Sequence, residues 1–266
     1  MTAATDVAGS SVASEPSVLV QIDGPIAEIV LNRPSQRNAL NTDVLDRMLA
    51  ALQQTAEDDE VKVVLVRSNG SAFCAGNDLK ERAGMTVDEL IAQRLQRHHV
   101  FHTLEQHPKP CIAVVQGPAV AAGCEIALSC DFVFAGEEAT FRYPEAVRGS
   151  GGGTARLPGI VGKALAKELL FTGRLVPAAE ALQMRMVNRV LPNADLLAAA
   201  REMAQTISRG RSFAMTQTKR AIDQGQAAAA DPAAARRIEQ EAIAAAVAFQ
   251  VASGTAALPT RADDPA

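Results

Sequence analysis

The chain has 266 residues, of which 48% are hydrophobic and 21% charged, with a formal net charge of −4 and a pI near 5.6. This excludes a mostly disordered chain and leaves room for one large domain, or a core domain with an appendage. The acidic balance argues against a nucleic-acid partner, and no run approaches the roughly 20 apolar residues that span a bilayer. The expectation is a cytoplasmic protein with no membrane contact.

Residues 1–16 are small and polar, without the basic start and apolar stretch of a secretory signal, and read as a disordered leader. Val18 to Ile22 and Ile26 to Leu31 are β-rich runs parted by Asp23-Gly24-Pro25, a hairpin signal. Asn41 or Thr42 caps a predicted helix to about Glu57, with Val44, Leu45, Met48, Leu49 and Leu52 at helical spacing. Val61 to Val66 is a continuous apolar run and predicts a buried strand. A polar helix is expected over Val87 to His107, then a buried strand over Cys111 to Val115. A helix of small residues should run from Ala121 to Ser129, with strands at Phe132 to Ala135 and Thr140 to Tyr143. From Gly162 onward the pattern is almost wholly helical, with one last strand near Val187 to Leu191 and helices near 194–208, 211–225 and 232–252. The tail from Gly254 looks frayed. The division expected is thus a leader (1–16), an α/β core (17–195) and a helical C-terminal region (196–266).

Cys74, Cys111, Cys124 and Cys130 form no C-x-x-C pair and read as small buried hydrophobes in a reducing compartment. His98, His99, His102 and His107 fall on one predicted helix without the H-E-x-x-H spacing of a zinc helix, and are expected on a solvated face. No metal site is implied.

Three loops have unusual composition. Phe73-Cys74-Ala75-Gly76-Asn77-Asp78-Leu79-Lys80 follows a buried strand, where ligands tend to sit on open α/β sheets. Alone, it also fits an ordinary strand-to-helix connection. Gly117-Pro118-Ala119-Val120-Ala121-Ala122-Gly123-Cys124-Glu125 sets small residues at a helix start, where free N–H groups and the helix dipole favour negative charge. Glu125, three positions after Ala122, faces the same side. Close helix packing explains the same small residues. Tyr143-Pro144-Glu145 ends a short strand, and alone reads as a turn carboxylate.

Together these segments resemble the enoyl-CoA hydratase/isomerase (crotonase) family from about Val18 to Ile222. In order, the marks are Leu31-Asn32-Arg33-Pro34 with Asn38-Ala39-Leu40, then Phe73 to Glu81, then Lys109 to Ala119, then Gly123 to Asp131. Pro144-Glu145, Gly152-Gly153-Thr154-Ala155-Arg156-Leu157 and Phe171-Thr172-Gly173-Arg174 complete the series. The resemblance implies a spiral of strand–strand–helix units with a helical trimerisation region, assembled as a homotrimer or a hexamer. It implies that the backbone N–H groups of Asn77 and Ala122 hold a thioester oxygen, where preorganised donors contribute on the order of 3 kcal/mol each. It assigns Glu145 the proton at the α-carbon and Glu125 the water that attacks the β-carbon. It places Arg37, Ala39, Ala75 and Asp78 against coenzyme A, which arrives as part of the acyl-CoA substrate; no further cofactor is implied. Having both acids favours hydration over double-bond isomerisation, lyase or hydrolase chemistry, or a non-catalytic acyl-CoA-binding role. Three departures stand out: Ala122 where the family usually has Gly, a segment from Glu145 to Arg156 shortened by a few residues, and a C-terminus lacking the usual basic ending.

Overall fold

The computed structural model describes residues 15–148 and 152–227. Most of the leader, the glycine-rich turn at 149–151, the helix expected over 232–252 and the tail lie outside the described residues.

The chain begins with strands β1 (Val18–Asp23) and β2 (Ile26–Leu31), paired antiparallel, and helix α1 (Thr42–Glu57). Asn41 is its cap, its side chain accepting from Val44 N at 3.0 Å. Strand β3 (Val63–Ser68) leads to a one-turn helix α2 (Leu79–Arg82) and the longer α3 (Val87–Glu105), which opens on a capping box of Thr86 and Glu89. Next come β4 (Cys111–Val115), the two-residue β5 (Ala119–Val120), α4 (Ala122–Leu128), β6 (Phe132–Gly136) and β7 (Thr140–Arg142). Helices α5 (Leu157–Val161) and α6 (Lys163–Thr172), strand β8 (Leu175–Pro177), α7 (Ala178–Gln183), β9 (Arg189–Leu191), α8 (Asn193–Ser208) and α9 (Ser212–Ala227) follow.

Six strands form one sheet in the order β1-β2-β3-β4-β6-β9, parallel from β2 onward. Both faces are covered. Val64, Val66, Ala113 and Val115 point to the core beneath α1, α3 and α4, while Val63, Leu65, Ile112 and Val114 point to Leu196, Ala200 and Ala204 of α8. Burial on both sides is why these strands read as unbroken apolar runs. One polar tie joins α8 to the sheet: the buried Glu28 carboxylate accepts from Arg67 Nε at 2.6 Å and from Arg201 Nε at 2.7 Å.

A second, smaller sheet runs β5-β7-β8, and the bridges Cys74–Ala119 and Leu40–Asn77 continue it toward the N-terminal side. After β2, β3, β4 and β6, the chain thus places a short extended segment in this layer before the next helix. The repeated strand–strand–helix rhythm stacks the three unusual loops side by side. Among the described residues, no helix is long and apolar enough to cross a membrane.

One sequence expectation needs correction. His107 is not on α3 but just past its end, and it is buried at 2% exposure. Lys109 N donates to its Nδ1 at 3.2 Å, and Thr55 Oγ1 lies 3.2 Å from Nε2. Burial, the largest influence, holds this imidazole down to about 4. His98, His99 and His102 are exposed as expected. Helices dominate after about residue 145 as expected, with α5 starting at Leu157. The four cysteines are free, three of them buried.

Candidate active site

The loop after β3 and the start of α4 meet at Gly76. Its φ is +87°, and a Cβ there would stand 2.8 Å from Val120 O and 3.6 Å from Ala122 N. Only glycine tolerates both the backbone angle and the approach. Leu40 N donates to Gly76 O at 2.7 Å and Asp78 N to Leu40 O at 2.9 Å, which holds the loop extended. Asn77 N and Ala122 N are thereby brought to one place, and among the described residues neither donates to an acceptor. Ala122 opens α4, so its N–H is one of the unsatisfied donors of a helix start.

What aims that donor is Ala121, at φ 54° and ψ −117°. A residue with a side chain rarely adopts this conformation, at a cost of roughly 1–3 kcal/mol when the surroundings enforce it. Here Ala121 N donates to Arg142 O at 2.8 Å and Val120 N to Cys74 O at 2.9 Å, so the flanking backbone is pinned. The sequence reading missed Ala121, since no glycine marks the position.

Glu125 is carried one turn into α4 and is buried at 6% exposure. Arg156 Nη1 lies 3.3 Å from its Oε2, while Arg156 Nη2 donates to Glu105 at 2.7 Å. The same guanidinium sits over the Phe101 ring, 5.9 Å from its centre. Burial raises the Glu125 carboxyl above its usual range, and the Arg156 charge pulls it back part of the way. Tyr143 stands beside it and also pulls it down, although neither Glu125 Oε1 nor the phenol oxygen makes a hydrogen bond of good geometry.

Glu145, just past β7, faces the same space. Burial raises it above the usual carboxylate range, and the negative charge of Glu125 adds to that rise. Its Oε1 lies against Gly152, where an added Cβ would stand only 2.4 Å away. Gly152 therefore packs directly on this carboxyl.

Arg97 reaches in from α3, buried at 8% exposure, and its Nη1 donates to Asn77 Oδ1 at 2.6 Å. Burial first, then the neighbouring Arg82 and Arg94, lower this guanidinium to about 10; Glu145 and Glu125 oppose that shift. The sequence reading missed Arg97 as well.

Among the described residues, the buried side-chain polar atoms without a partner are Arg82 Nε, Glu125 Oε1, Tyr143 OH, Glu145 Oε2 and Arg156 Nε. Buried polar groups are normally satisfied, and of these Tyr143, Arg156 and Glu145 all act on Glu125, which makes this neighbourhood a candidate place for a polar ligand. A separate cavity of about 920 Å3, lined by Leu128, Asp131, Met186 and Lys219 among others, touches this neighbourhood only through Glu105 and Arg156. It holds neither free donor nor Glu145, so the chemistry is assigned to the carboxylate pair.

Of the residues expected at coenzyme A, Arg37 is exposed at φ 51°, and its carbonyl accepts from Ala75 N at 3.0 Å. Ala39 is buried, with its carbonyl accepting from Arg33 Nη1 at 2.6 Å. Asp78 pairs with Arg33 at 3.0 Å and caps α2 by accepting from Lys80 N and Glu81 N. Burial pushes its carboxyl up, but these partners outweigh it and hold it below the usual range. Among the described residues, no group of three His, Cys, Asp or Glu side chains is arranged to hold a metal.

Residues 21–254 match the family described as enoyl-CoA hydratase/isomerase. The chain is 37% identical over 223 residues to a short-chain-enoyl-CoA hydratase of Clostridium acetobutylicum, covering 82% of this chain and 85% of that protein. It is 40% identical over 251 residues to the mitochondrial enoyl-CoA hydratase domain-containing protein 2 of Mus musculus, covering 89% and 83%. The crystal structure of an enoyl-CoA hydratase from Bacillus anthracis superposes with a TM-score of 0.83 at 34% identity, covering 85% of this chain and 89% of that one.

Proposed function

The chain belongs to the enoyl-CoA hydratase/isomerase family, and we propose that it is itself an enoyl-CoA hydratase in which Glu125 and Glu145 add water across the 2,3 double bond of an acyl-CoA thioester. The observation that carries this reading is the convergence of two unpaired backbone donors with two carboxyls, Glu125 and Glu145, that each keep one buried, unpartnered oxygen.

Attack of water on C3 pushes the π electrons toward the thioester and leaves negative charge on its oxygen. Asn77 N–H and Ala122 N–H stabilise that oxygen, and in a dry site such donors act strongly because they are already aimed. The two carboxyls divide the proton work by their surroundings. Glu125, whose Oε2 faces the Arg156 guanidinium at 3.3 Å, is assigned the proton released by water as the C3–O bond forms. Glu145, raised by burial and by the Glu125 charge against the pull of Arg97 and Arg148, is assigned the proton delivered to C2 as the enolate collapses. The product carries OH on C3 and the new hydrogen on C2, and one proton passed between the carboxyls restores the start.

Coenzyme A enters as part of the substrate, with Arg37, Ala39, Ala75 and Asp78 proposed along its path and no other cofactor. A homotrimer or hexamer with a cytoplasmic address completes the proposal. Val87, Ile91 and Leu95, exposed at helical spacing on α3, support an assembly that covers them. Native mass measurement decides between one, three and six copies.

The test is loss of the enoyl-thioester ultraviolet absorbance with crotonyl-CoA, with the product identified. Glu145→Gln and Glu125→Gln should each lower the rate about 100- to 10,000-fold. Undiminished hydration by either variant, or a shifted double bond as the only product, refutes the assignment.

A further inference from the structure

Arg156, the residue before α5, is shared between two carboxylates. Its Nη2 donates to Glu105 Oε2 at 2.7 Å, whereas its Nη1 lies 3.3 Å from Glu125 Oε2. The first distance is that of a strong charge-assisted bond, and the second is a loose contact. A guanidinium can instead close on one carboxylate with two parallel hydrogen bonds, the arrangement its planar fork favours. Here it does not, and among the described residues Arg156 Nε and Glu125 Oε1 are both buried without a partner. Helix α3 holds the guanidinium back. Phe101 and Glu105 stand one turn apart on the same face of that helix, the ring centre 5.9 Å from the guanidinium carbon and the carboxylate on Nη2. Glu105 is the last residue of α3, at the negative end of the helix dipole, where an acid is out of place. Helix formation does not explain this acid; the ion pair with Arg156 does.

We infer that Glu105 is a positioning residue for the hydration step: by gripping Arg156 it keeps the guanidinium from closing on Glu125, and so leaves Glu125 an oxygen free for the attacking water. This rests on the hydratase reading for the role of Glu125, but not for the sharing of the guanidinium. A carboxylate gripped by both arms of an arginine is a weak base with its lone pairs occupied, while a buried one without a counter-ion holds on to its proton. A general base works best between those limits. The Arg156 side chain is 11% exposed and that of Glu125 8%, so water screens their interaction little; Glu105, at 39%, reaches solvent and can be changed at small cost to the fold. Among the described residues, Arg156 makes ion pairs with Glu105 and Glu125 alone. The other groups facing Glu125 are Cys124 beside it on α4, Tyr143 and Glu145 from the end of β7, and Arg97 from α3. His98 of α3 also faces Arg156, and Asp223 of α9 faces Glu105.

The experiment uses the full chain with isotope-labelled glutamate carboxyls, the Glu125 resonance being assigned by its loss in Glu125→Gln. Titrating that resonance by NMR without substrate reads Glu125 directly, and the pH profile of crotonyl-CoA hydration is followed alongside. Glu105→Gln releases Arg156 onto Glu125, so Glu125 should titrate lower by about half a pH unit or more. The acid limb of kcat/KM should move down with it, and kcat near neutrality should fall roughly tenfold as the base weakens, with KM within about twofold. Arg156→Gln should move the titration the opposite way, and Glu105→Asp should keep part of the wild-type position. In the double variant Glu105→Gln with Arg156→Gln, Glu125 should titrate as in Arg156→Gln alone, because Glu105 acts through the guanidinium. A titration that Glu105→Gln leaves in place or raises overturns the inference, even if the rate falls, and wild-type turnover of crotonyl-CoA leaves the hydratase reading standing. A shift that persists whole in the Arg156→Gln background belongs to the bare charge of Glu105 and also overturns it. A downward shift that needs Arg156, in a chain that hydrates no crotonyl-CoA, supports the shared guanidinium and overturns the hydratase reading instead.

Discussion

Gly152→Ala separates the placement of Glu145 from its chemistry. The added methyl carbon would stand 2.4 Å from Glu145 Oε1, 2.8 Å from Cδ and 3.0 Å from Cγ, where ordinary contact begins near 3.4 Å. Gly152 is not among the glycines with positive φ, so alanine adopts its backbone angles without strain. What must move is the end of a side chain, and the shortfall at Oε1 is about 1 Å. A misplacement of about 1 Å at a reacting group costs roughly 100-fold in rate. Stability should change by less than about 1 kcal/mol, because alanine also stiffens the unfolded chain in its favour. The assay is the steady-state rate of crotonyl-CoA hydration with a thermal melt on the same sample. A melt close to that of wild type with about 1% of its rate is expected. A folded variant within threefold of the wild-type rate would show that Glu145 is not the proton carrier, or that Gly152 does not set its position.

Other consequences follow from the same geometry. Ala121→Gly removes a side chain from φ 54° and should stabilise the fold by about 1 kcal/mol, raising Tm by roughly 2–4 °C; an unchanged or lower Tm would mean the conformation carries no strain. Arg156→Gln withdraws the charge that pulls Glu125 down, so the acid limb of the kcat/KM profile should move to higher pH; a limb that stays in place would show that Glu125 is not the group titrating there. His107 is neutral in the fold down to about 4 but takes a proton near 6.5 when unfolded. The unfolded chain therefore binds the extra proton between those values, and on the order of 3 kcal/mol of stability is lost as pH falls from about 6.5 to about 4. Urea unfolding across that window should be less steep in pH for His107→Gln than for wild type, and parallel curves would refute the assignment.

The elements legible in the sequence are those where one physical signal dominates. The strands of the large sheet show as apolar runs because both faces are covered, and α1 shows as a cap followed by an apolar stripe. β5 and β8, of two and three residues, carry no such signal, since they exist only because neighbouring turns of the chain hold them in the second layer. His107 was misplaced for a related reason. Helical periodicity cannot see that the chain turns after Glu105 and carries the imidazole under Thr55.

At the site, the motif residues were readable because chemistry restricts their types: a carboxylate proposed to move a proton, a glycine that lets two backbones meet. Asn77, Ala122, Glu125 and Glu145 do converge, although they come from three separate turns of the fold. Arg97 and Ala121 were not readable, and for different reasons. Arg97 lies on a helix whose polar residues look like a solvated face, and only the tertiary structure turns this one inward onto Asn77. Ala121 is hidden because positive φ normally announces itself as glycine. Here the backbone bonds of Val120 and Ala121 hold the angle in spite of the methyl, so the Ala122 N–H, proposed as an oxyanion donor, is aimed by the surrounding sheet rather than by the residue itself. A donor held this way resists being pulled off line by a bound ligand, and resistance of that kind is what electrostatic preorganisation requires.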